Sequence, residues 1–296
     1  MASNAESETP RRRITVPAIR DSKVRNGDDP LVMVTAYDAP MARIAEEAEV
    51  DLILVGDSLG MVVLGHSNTL EVTVDDMVHH IKAVARTRPK ALVVADMPWM
   101  SFHVSPQDTL INAARLIRAG GKCLKIEGGT KRIPMMEAVI AAEMPVIAHL
   151  GLTPQSFNAM GGFKIQAREA EAANELVREA KAVEAAGCFA VLLEGVPDVV
   201  GQMVTDALSI PTIGIGAGPA CDGQVLVYHD IIGLENRFKP KFVRRFGTAY
   251  EDQLESVQQY AQAVRHRTFP AEPETYVARE ELTEALGLYG SKTQDS

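Results

Sequence analysis

VDLILVGD (50–57) is a short apolar run that closes on a glycine and an acid. It shows no alternation of apolar and polar residues and is too short for a helix, so it reads as a strand covered on both faces, as in a parallel sheet. The design recurs along the chain, in LVMVTAYD (31–38), ALVVADMP (91–98), KCLKIEGG (122–129), PVIAHLG (145–151), CFAVLLEG (188–195), PTIGIGAG (211–218) and QVLVYHD (224–230). Helical segments lie between. TVDDMVHHIKAVARTR (73–88) opens on the capping residue Thr73 with acids in its first turn. SPQDTLINAARLIRAGG (105–121) has Ser105 as N-cap, Pro106 at the first helical position and Gly120 just past the end. QAREAEAANELVREAKAVEAAG (166–187) is a long Ala/Glu-rich helix stopped by Gly187. Only the link between the seventh and eighth runs is too short for a full helix. Eight such units in 296 residues predict a (β/α)8 TIM barrel, with a doubly wound open sheet as the alternative. No Pro/Ser-rich linker interrupts them. The expected layout is a disordered segment over 1–13, one catalytic barrel over 14–270, and a helical tail over 271–296. A further amphipathic helix is expected from Ala249 to about Arg267.

Composition narrows the function. The chain is 46% hydrophobic but only 5% aromatic, so aliphatic side chains must fill the core. Its formal net charge is -9, and its local basic spots, Arg11-Arg12-Arg13 and KPKFVRR (239–245), read as solvated surface. Nucleic acid is therefore not an expected partner. The three cysteines, Cys123, Cys188 and Cys221, have neither zinc-site nor disulfide-framework spacing. No apolar stretch reaches the ~18 residues that a membrane span needs. MASNAESETPRRR (1–13) has no apolar stretch after its arginines and reads as neither a secretory nor a transit signal. A reducing cytoplasm is the expected location.

The chemistry of such a barrel sits at the C-terminal ends of its strands. Asp57, Asp96, Glu127 and Glu194 close four of the runs there, and His149 closes a fifth. Any one alone could cap the following helix; four acids on one rim form a candidate metal and acid–base site. Lys125 and Glu127 are two apart on a strand and share the face turned into the barrel, while Ile126 faces the helices. Lys125 either neutralises Glu127 or binds substrate oxygens. Hard oxygen ligands favour Mg²⁺, with Asp57, Asp96 and Glu127 as its ligands and Glu194 left as a base. A 2-oxo acid on such a metal loses its neighbouring proton more easily, which leads to an enolate and a new carbon–carbon bond. The run GIGAG (214–218) fails the dinucleotide fingerprint, because position 219 is Pro219. It leaves two readings open, close backbone packing or a floor for a ligand. His79 and His80 read as surface or packing residues, and His66 as a loop residue.

Gly56-Asp57-Ser58-Leu59-Gly60 also fits G-x-S-x-G, the elbow of a nucleophilic serine. A hydrolase would need a late histidine and acid. The only Asp-x-x-His in the chain is Asp76 to His79, inside the next helix. Ser58 is better read as offering its N–H or hydroxyl to a substrate carboxylate.

The blocks MVTAYD, LVGDSLGMVVLGH, ADMPWMS, KIEGG, HLGLTPQS, LLEGVP, IGIGAG with DGQ, and PKF, in that order from about Ile14 to Pro270, resemble the ketopantoate hydroxymethyltransferase family. GPACDGQ and ENRFKPKF depart from the family's commoner wording, and the two ends of the chain have no counterpart in it. The resemblance implies a (β/α)8 barrel that assembles as a homodecamer and works in pantothenate, hence coenzyme A, synthesis. It implies hydroxymethyl transfer from 5,10-methylenetetrahydrofolate to 3-methyl-2-oxobutanoate, giving 2-dehydropantoate and tetrahydrofolate. By motif, Asp57, Asp96 and Glu127 are similar to the family's Mg²⁺ ligands. Asp57, Ser58, Asp96 and Lys125 are similar to its substrate contacts, Glu194 to its base, and His149 to its active-site histidine. A Mg²⁺-dependent lyase of the phosphoenolpyruvate mutase/isocitrate lyase type is the alternative enzyme. HLGLTPQS and KIEGG argue against it. A non-catalytic metabolite-binding barrel would be expected to lose some strand-end acids.

Overall fold

All eight apolar runs form strands. The computed structural model describes residues 11–156, 158, 162, 165–234 and 239–287. The strands are β1 Leu31–Thr35, β2 Leu52–Val55, β3 Leu92–Asp96, β4 Cys123–Glu127, β5 Val146–Gly151, β6 Ala190–Glu194, β7 Thr212–Ile215 and β8 Gly223–Leu226. They are parallel in chain order, and β8 closes onto β1 through the pairs Leu31 with Gly223 to Val34 with Leu226. The alternative open sheet is thereby excluded, and the (β/α)8 expectation holds.

Side chains alternate across this closed wall. Met33, Leu52, Leu54, Leu92, Val94, Cys123, Ile147, Leu192, Ile213 and Val225 pack together as the barrel's inner core. Their neighbours Val34, Ile53, Val55, Val93, Ala95, Leu124, Ile126, Ala148, Val191 and Leu193 pack outward with the helices. The outer set explains why most runs carry no polar alternation: both faces of β2 to β6 are buried, whereas β1 and β8 each expose one residue, Val32 and Gln224.

Among the described residues the helices in chain order are α1 Val16–Arg20, α2 Ala39–Glu47, α3 Leu59–Val62, α4 Val74–Ala85, α5 Pro106–Ala119, α6 Ile133–Ala141, α7 Ala170–Ala185, α8 Asp198–Ala207, α9 Tyr228–Ile232, α10 Ala249–Arg265 and α11 Glu280–Ala285. Thr73 and Asp76 form a reciprocal capping box on α4. Ser105 accepts from Asp108 N–H at the start of α5. Between β7 and β8 no helix forms, as the short link requires. The GIGAG run is packed tightly there. A Cβ on Gly216, whose φ is +60°, would lie 2.8 Å from the Phe242 ring, which favours close backbone packing.

The chain divides into two compact units, at 247/248. In the first, α1 lies under the N-terminal end of the barrel. Its Ile19 joins the inner core, and Ile14 N–H donates to Lys90 O just before β3. Of the stretch expected to be disordered, residues 1–10 lie outside the described residues. Arg11, read as solvated surface, donates to the carbonyls of Glu49 and Val50. The second unit holds α10, whose Tyr250, Leu254, Val257, Tyr260 and Val264 are exposed, and α11. Residues 288–296 of the tail lie outside the described residues.

One buried ion pair ties the chain's start to its last strands. Lys23 Nζ is 2.8 Å from Asp222 Oδ2 and donates to Thr205 O at 2.8 Å. Asp222 also accepts from Val24 N–H at 3.1 Å and Thr212 N–H at 2.9 Å. Asp222→Ala would strand a buried ammonium and lose these bonds. The expected cost is about 3–5 kcal/mol, read as a lower urea midpoint. Replacing both partners by apolar residues of similar volume should recover part of it.

Candidate active site

Asp96 and Glu127 are the last residues of β3 and β4, and Asp57 stands two residues beyond β2. His149 and Glu194 occupy β5 and β6. Register sets them side by side: Asp96 lies opposite Lys125, Glu127 opposite His149, and Gly151 opposite Glu194. All therefore meet at the C-terminal rim.

Lys125 is the hub. Its Nζ lies 2.8 Å from Asp96 Oδ1 and 3.2 Å from Glu127 Oε1. Asp57 N–H donates to Asp96 Oδ2 at 3.0 Å, which couples β2 to β3. His149 Nδ1 is 3.2 Å from both Glu127 Oε1 and Lys125 Nζ. Its Nε2 is 3.1 Å from Glu194 Oε2. Asp57, Asp96, Lys125, Glu127 and His149 are all buried, whereas the Glu194 side chain keeps 15% of its surface exposed. Glu194 thus faces the mouth.

Burial and the neighbouring acids dominate the electrostatics. Burial, with Asp96 and Glu127 nearby, pushes Asp57 well above the usual carboxylate range. Burial likewise raises Asp96, although Lys125 opposes it. Burial would raise Glu127 too, but Lys125 and His149 outweigh it and hold that carboxyl down at about 2. Burial acts to lower Lys125; Asp96, Glu127 and Asp57 outweigh it and keep the ammonium charged. Burial and Lys125 act to lower His149, and the Glu127 and Glu194 carboxylates hold it up at about 9. The protonated ring faces Glu194 through Nε2 as an ion-pair contact at 3.1 Å, outside hydrogen-bond geometry.

The model of the family described as ketopantoate hydroxymethyltransferase matches residues 13–272. The chain belongs to the ketopantoate hydroxymethyltransferase family. It is 49% identical over 271 residues to the 3-methyl-2-oxobutanoate hydroxymethyltransferase of Bacillus cereus strain AH187, covering 91% of this chain and 97% of that one. The enzyme of the same name from Bacillus thuringiensis strain Al Hakam matches at 49% identity, over 91% of this chain and 96% of its own. Among solved structures, a phosphonopyruvate hydrolase complex with oxalate and Mg²⁺ superposes with a TM-score of 0.58 at 16% identity, over 93% of this chain and 95% of that one. A 2,3-dimethylmalate lyase of the PEP mutase/isocitrate lyase superfamily gives 0.56 at 16% identity, over 92% and 94%. At that identity the likeness is one of fold alone.

Within this ketopantoate hydroxymethyltransferase framework, the residues singled out by sequence come together. Ser58 stands at the same rim, at the start of α3, in ordinary right-handed helical backbone with φ −51° and ψ −21°, not on a strained elbow. Its hydroxyl is 2.8 Å from Tyr37 OH, so the partner found is a phenol, where a hydrolase would need an imidazole. His66 lies 3.6 Å from Glu71 on the surface. His80 Nδ1 is 2.7 Å from Tyr37 O and thereby helps hold the residue that touches Ser58.

Two residues of the site were not picked out from sequence. Tyr37, in the quoted MVTAYD, is fully enclosed and holds Ser58. Gln155, in the quoted HLGLTPQS, sends Nε2 to Asp57 Oδ2 at 2.9 Å and its backbone N–H to Glu127 Oε2 at 3.1 Å. Both lie in blocks that carry the family resemblance, but no spacing rule gives a glutamine after β5 a reach to β2.

Glu194 is also placed by its backbone. Gly151, at φ +88°, leaves room for the Glu194 carbonyl, which would lie 2.3 Å from a Cβ at 151; Leu152 N–H donates to that carbonyl at 2.8 Å. Gly151→Ala must therefore shift β5 against β6. We expect a melting temperature lowered by several degrees, from roughly 1–2 kcal/mol of left-handed strain plus the clash. Turnover should fall by more than lost folding explains, measured at a temperature where the variant is fully folded.

Proposed function

We propose that this chain transfers a hydroxymethyl group to 3-methyl-2-oxobutanoate from 5,10-methylenetetrahydrofolate, with Glu194 as the base. The observation that carries this reading is the pairing of an accessible carboxylate, Glu194, with a buried ammonium on the same rim, bridged by His149. Glu194 takes the proton from C3 of the 2-oxo acid. Lys125, held charged by its acid neighbours, donates toward the oxygen on which the enolate's charge develops. Water hydrolyses the methylene bridge of the folate, breaking its C–N bonds, releasing tetrahydrofolate and leaving the one-carbon unit at the formaldehyde level. The nucleophilic C3 then bonds to that carbon, and its oxygen takes up a proton to become the hydroxyl. His149 keeps Glu194 oriented, and Ser58, fixed by Tyr37, offers its hydroxyl or N–H to the substrate carboxylate. Pantothenate and coenzyme A synthesis would consume the product, 2-dehydropantoate.

Mg²⁺ belongs to the same proposal. Fully ionised, the four acids would carry four negative charges, against two positive charges on Lys125 and the protonated His149. That excess of two is what burial resists at Asp57 and Asp96, which it pushes above the usual carboxylate range. Asp57 and Asp96 would hold the ion, joined by Glu127 from the third strand. Among the described residues no three His, Cys, Asp or Glu side chains form a ready-made cage. Mg²⁺ keeps several waters and needs few protein ligands, so it does not require such a cage. When bound it would act as a Lewis acid toward the 2-oxo acid. Assembly as a homodecamer and a cytoplasmic location are parts of the same proposal. Among the described residues no helix is long and apolar enough to cross a membrane.

In deuterated buffer with Mg²⁺ and no folate, the enzyme should exchange the C3 proton of 3-methyl-2-oxobutanoate, followed by NMR. Glu194→Gln should slow this exchange about 10²–10⁴-fold with Mg²⁺ affinity nearly unchanged; undiminished exchange would remove Glu194 from the base role. Ser58→Ala should raise KM by about 10–150-fold, the worth of one hydrogen bond to a charged group, roughly 1.5–3 kcal/mol, while retaining exchange. Complete loss in Ser58→Ala with Asp57→Asn tolerated would favour a serine nucleophile instead.

A further inference from the structure

Gln155 is buried and stands between the acids of three strands. Its Nε2 donates to Asp57 Oδ2 and to Met97 O, both at 2.9 Å. Both partners are acceptors, so the amide can sit only one way: a flip would set Oε1 against a carboxylate and a carbonyl. Oε1 is consequently fixed as well. It is buried and has no hydrogen-bond partner among the described residues. An amide oxygen left in that state costs about 1–3 kcal/mol, which a donor arriving with a ligand would offset. The backbone N–H of the same residue holds Glu127 Oε2 at 3.1 Å. With Glu127 Oε1 already beside Lys125 and His149, both oxygens of that carboxylate are engaged by protein donors.

We propose that Gln155 is a positioning residue of the divalent-cation site: its NH2 orients the Asp57 carboxylate and its free Oε1 accepts a hydrogen bond from a water carried by the hydrated ion. The inference rests on the cation reading above. A Mg²⁺ that keeps several waters presents strong O–H donors, and an amide oxygen is a suitable neutral acceptor in a pocket already crowded with negative charge. A carboxylate at this position would add another charge to that excess. A purely apolar side chain would release Asp57 and leave the coordinated water without an acceptor.

The test uses the full-length enzyme and Mn²⁺ as a paramagnetic probe, with free Mn²⁺ counted by electron paramagnetic resonance and bound-ion hydration followed by water-proton relaxation. Wild type should bind one ion per chain, and Asp57→Asn should lose it. Gln155→Met and Gln155→Asn should each weaken binding about 10–100-fold and change the relaxation enhancement per bound ion, while their circular-dichroism melts stay those of a folded barrel. A structural role alone would shift melting and leave Mn²⁺ affinity and relaxation unmoved. Affinity within about twofold of wild type in a folded variant, below the loss expected for such a partner, would overturn the inference. So would failure of both variants to fold. If wild type and Asp57→Asn bind alike, or neither binds, the cation reading itself fails, a result distinct from a Gln155 failure.

Discussion

Everything at the rim is organised by one ammonium in a place where a lone charge could not stay. Lys125 projects from the middle of β4 into the barrel and is buried there. Without partners the ammonium would lose its proton. Asp96 and Glu127 keep it charged, and it in turn keeps Glu127 ionised. Each charge is tolerable only because the others are present. The alternation of a strand fixes this arrangement, since Lys125 and Glu127 face inward together while Ile126 packs outward with the helices.

The same logic extends around the rim in one direction at a time. Asp57 joins through its backbone N–H to Asp96, and His149 links Glu127 to Glu194. Burial lessens toward the mouth, where Glu194 is the most exposed of the four acids. A base must meet substrate, and the groups that stabilise charge work best away from water. The barrel satisfies both needs by grading burial across five strand ends rather than by moving any of them. At the opposite end, Lys23 and Asp222 use the same device for a different purpose, locking the N-terminal segment beneath β7 and β8.

Much of this was legible in the residues. Near-continuous apolar runs between amphipathic segments, each stopped by glycine or proline, specify parallel strands and covering helices, and eight of them in one chain leave few ways to close. Thr73, Ser105 and Pro106 act locally, through bonds within one turn, and the helix starts follow from them. The strand-end acids stand out because an acid closing a buried run is costly unless it has a use. The two readings of GIGAG needed the fold, because the choice depends on Phe242, which is distant in sequence.

The chain's own order thus determined the barrel, the rim that carries the chemistry, and the identity of the acids, lysine and histidine on it; these follow from periodicity and burial, which act over neighbouring residues. Tertiary structure alone decided that Gln155 spans from the β5 loop to Asp57, that Tyr37 rather than a histidine faces the Ser58 hydroxyl, and that Gly151 makes space for the Glu194 carbonyl. Those contacts join residues up to 98 positions apart. They depend on which side chains a closed sheet brings within about 3 Å, the span of a hydrogen bond, a distance set by strand register and loop path that no local pattern encodes.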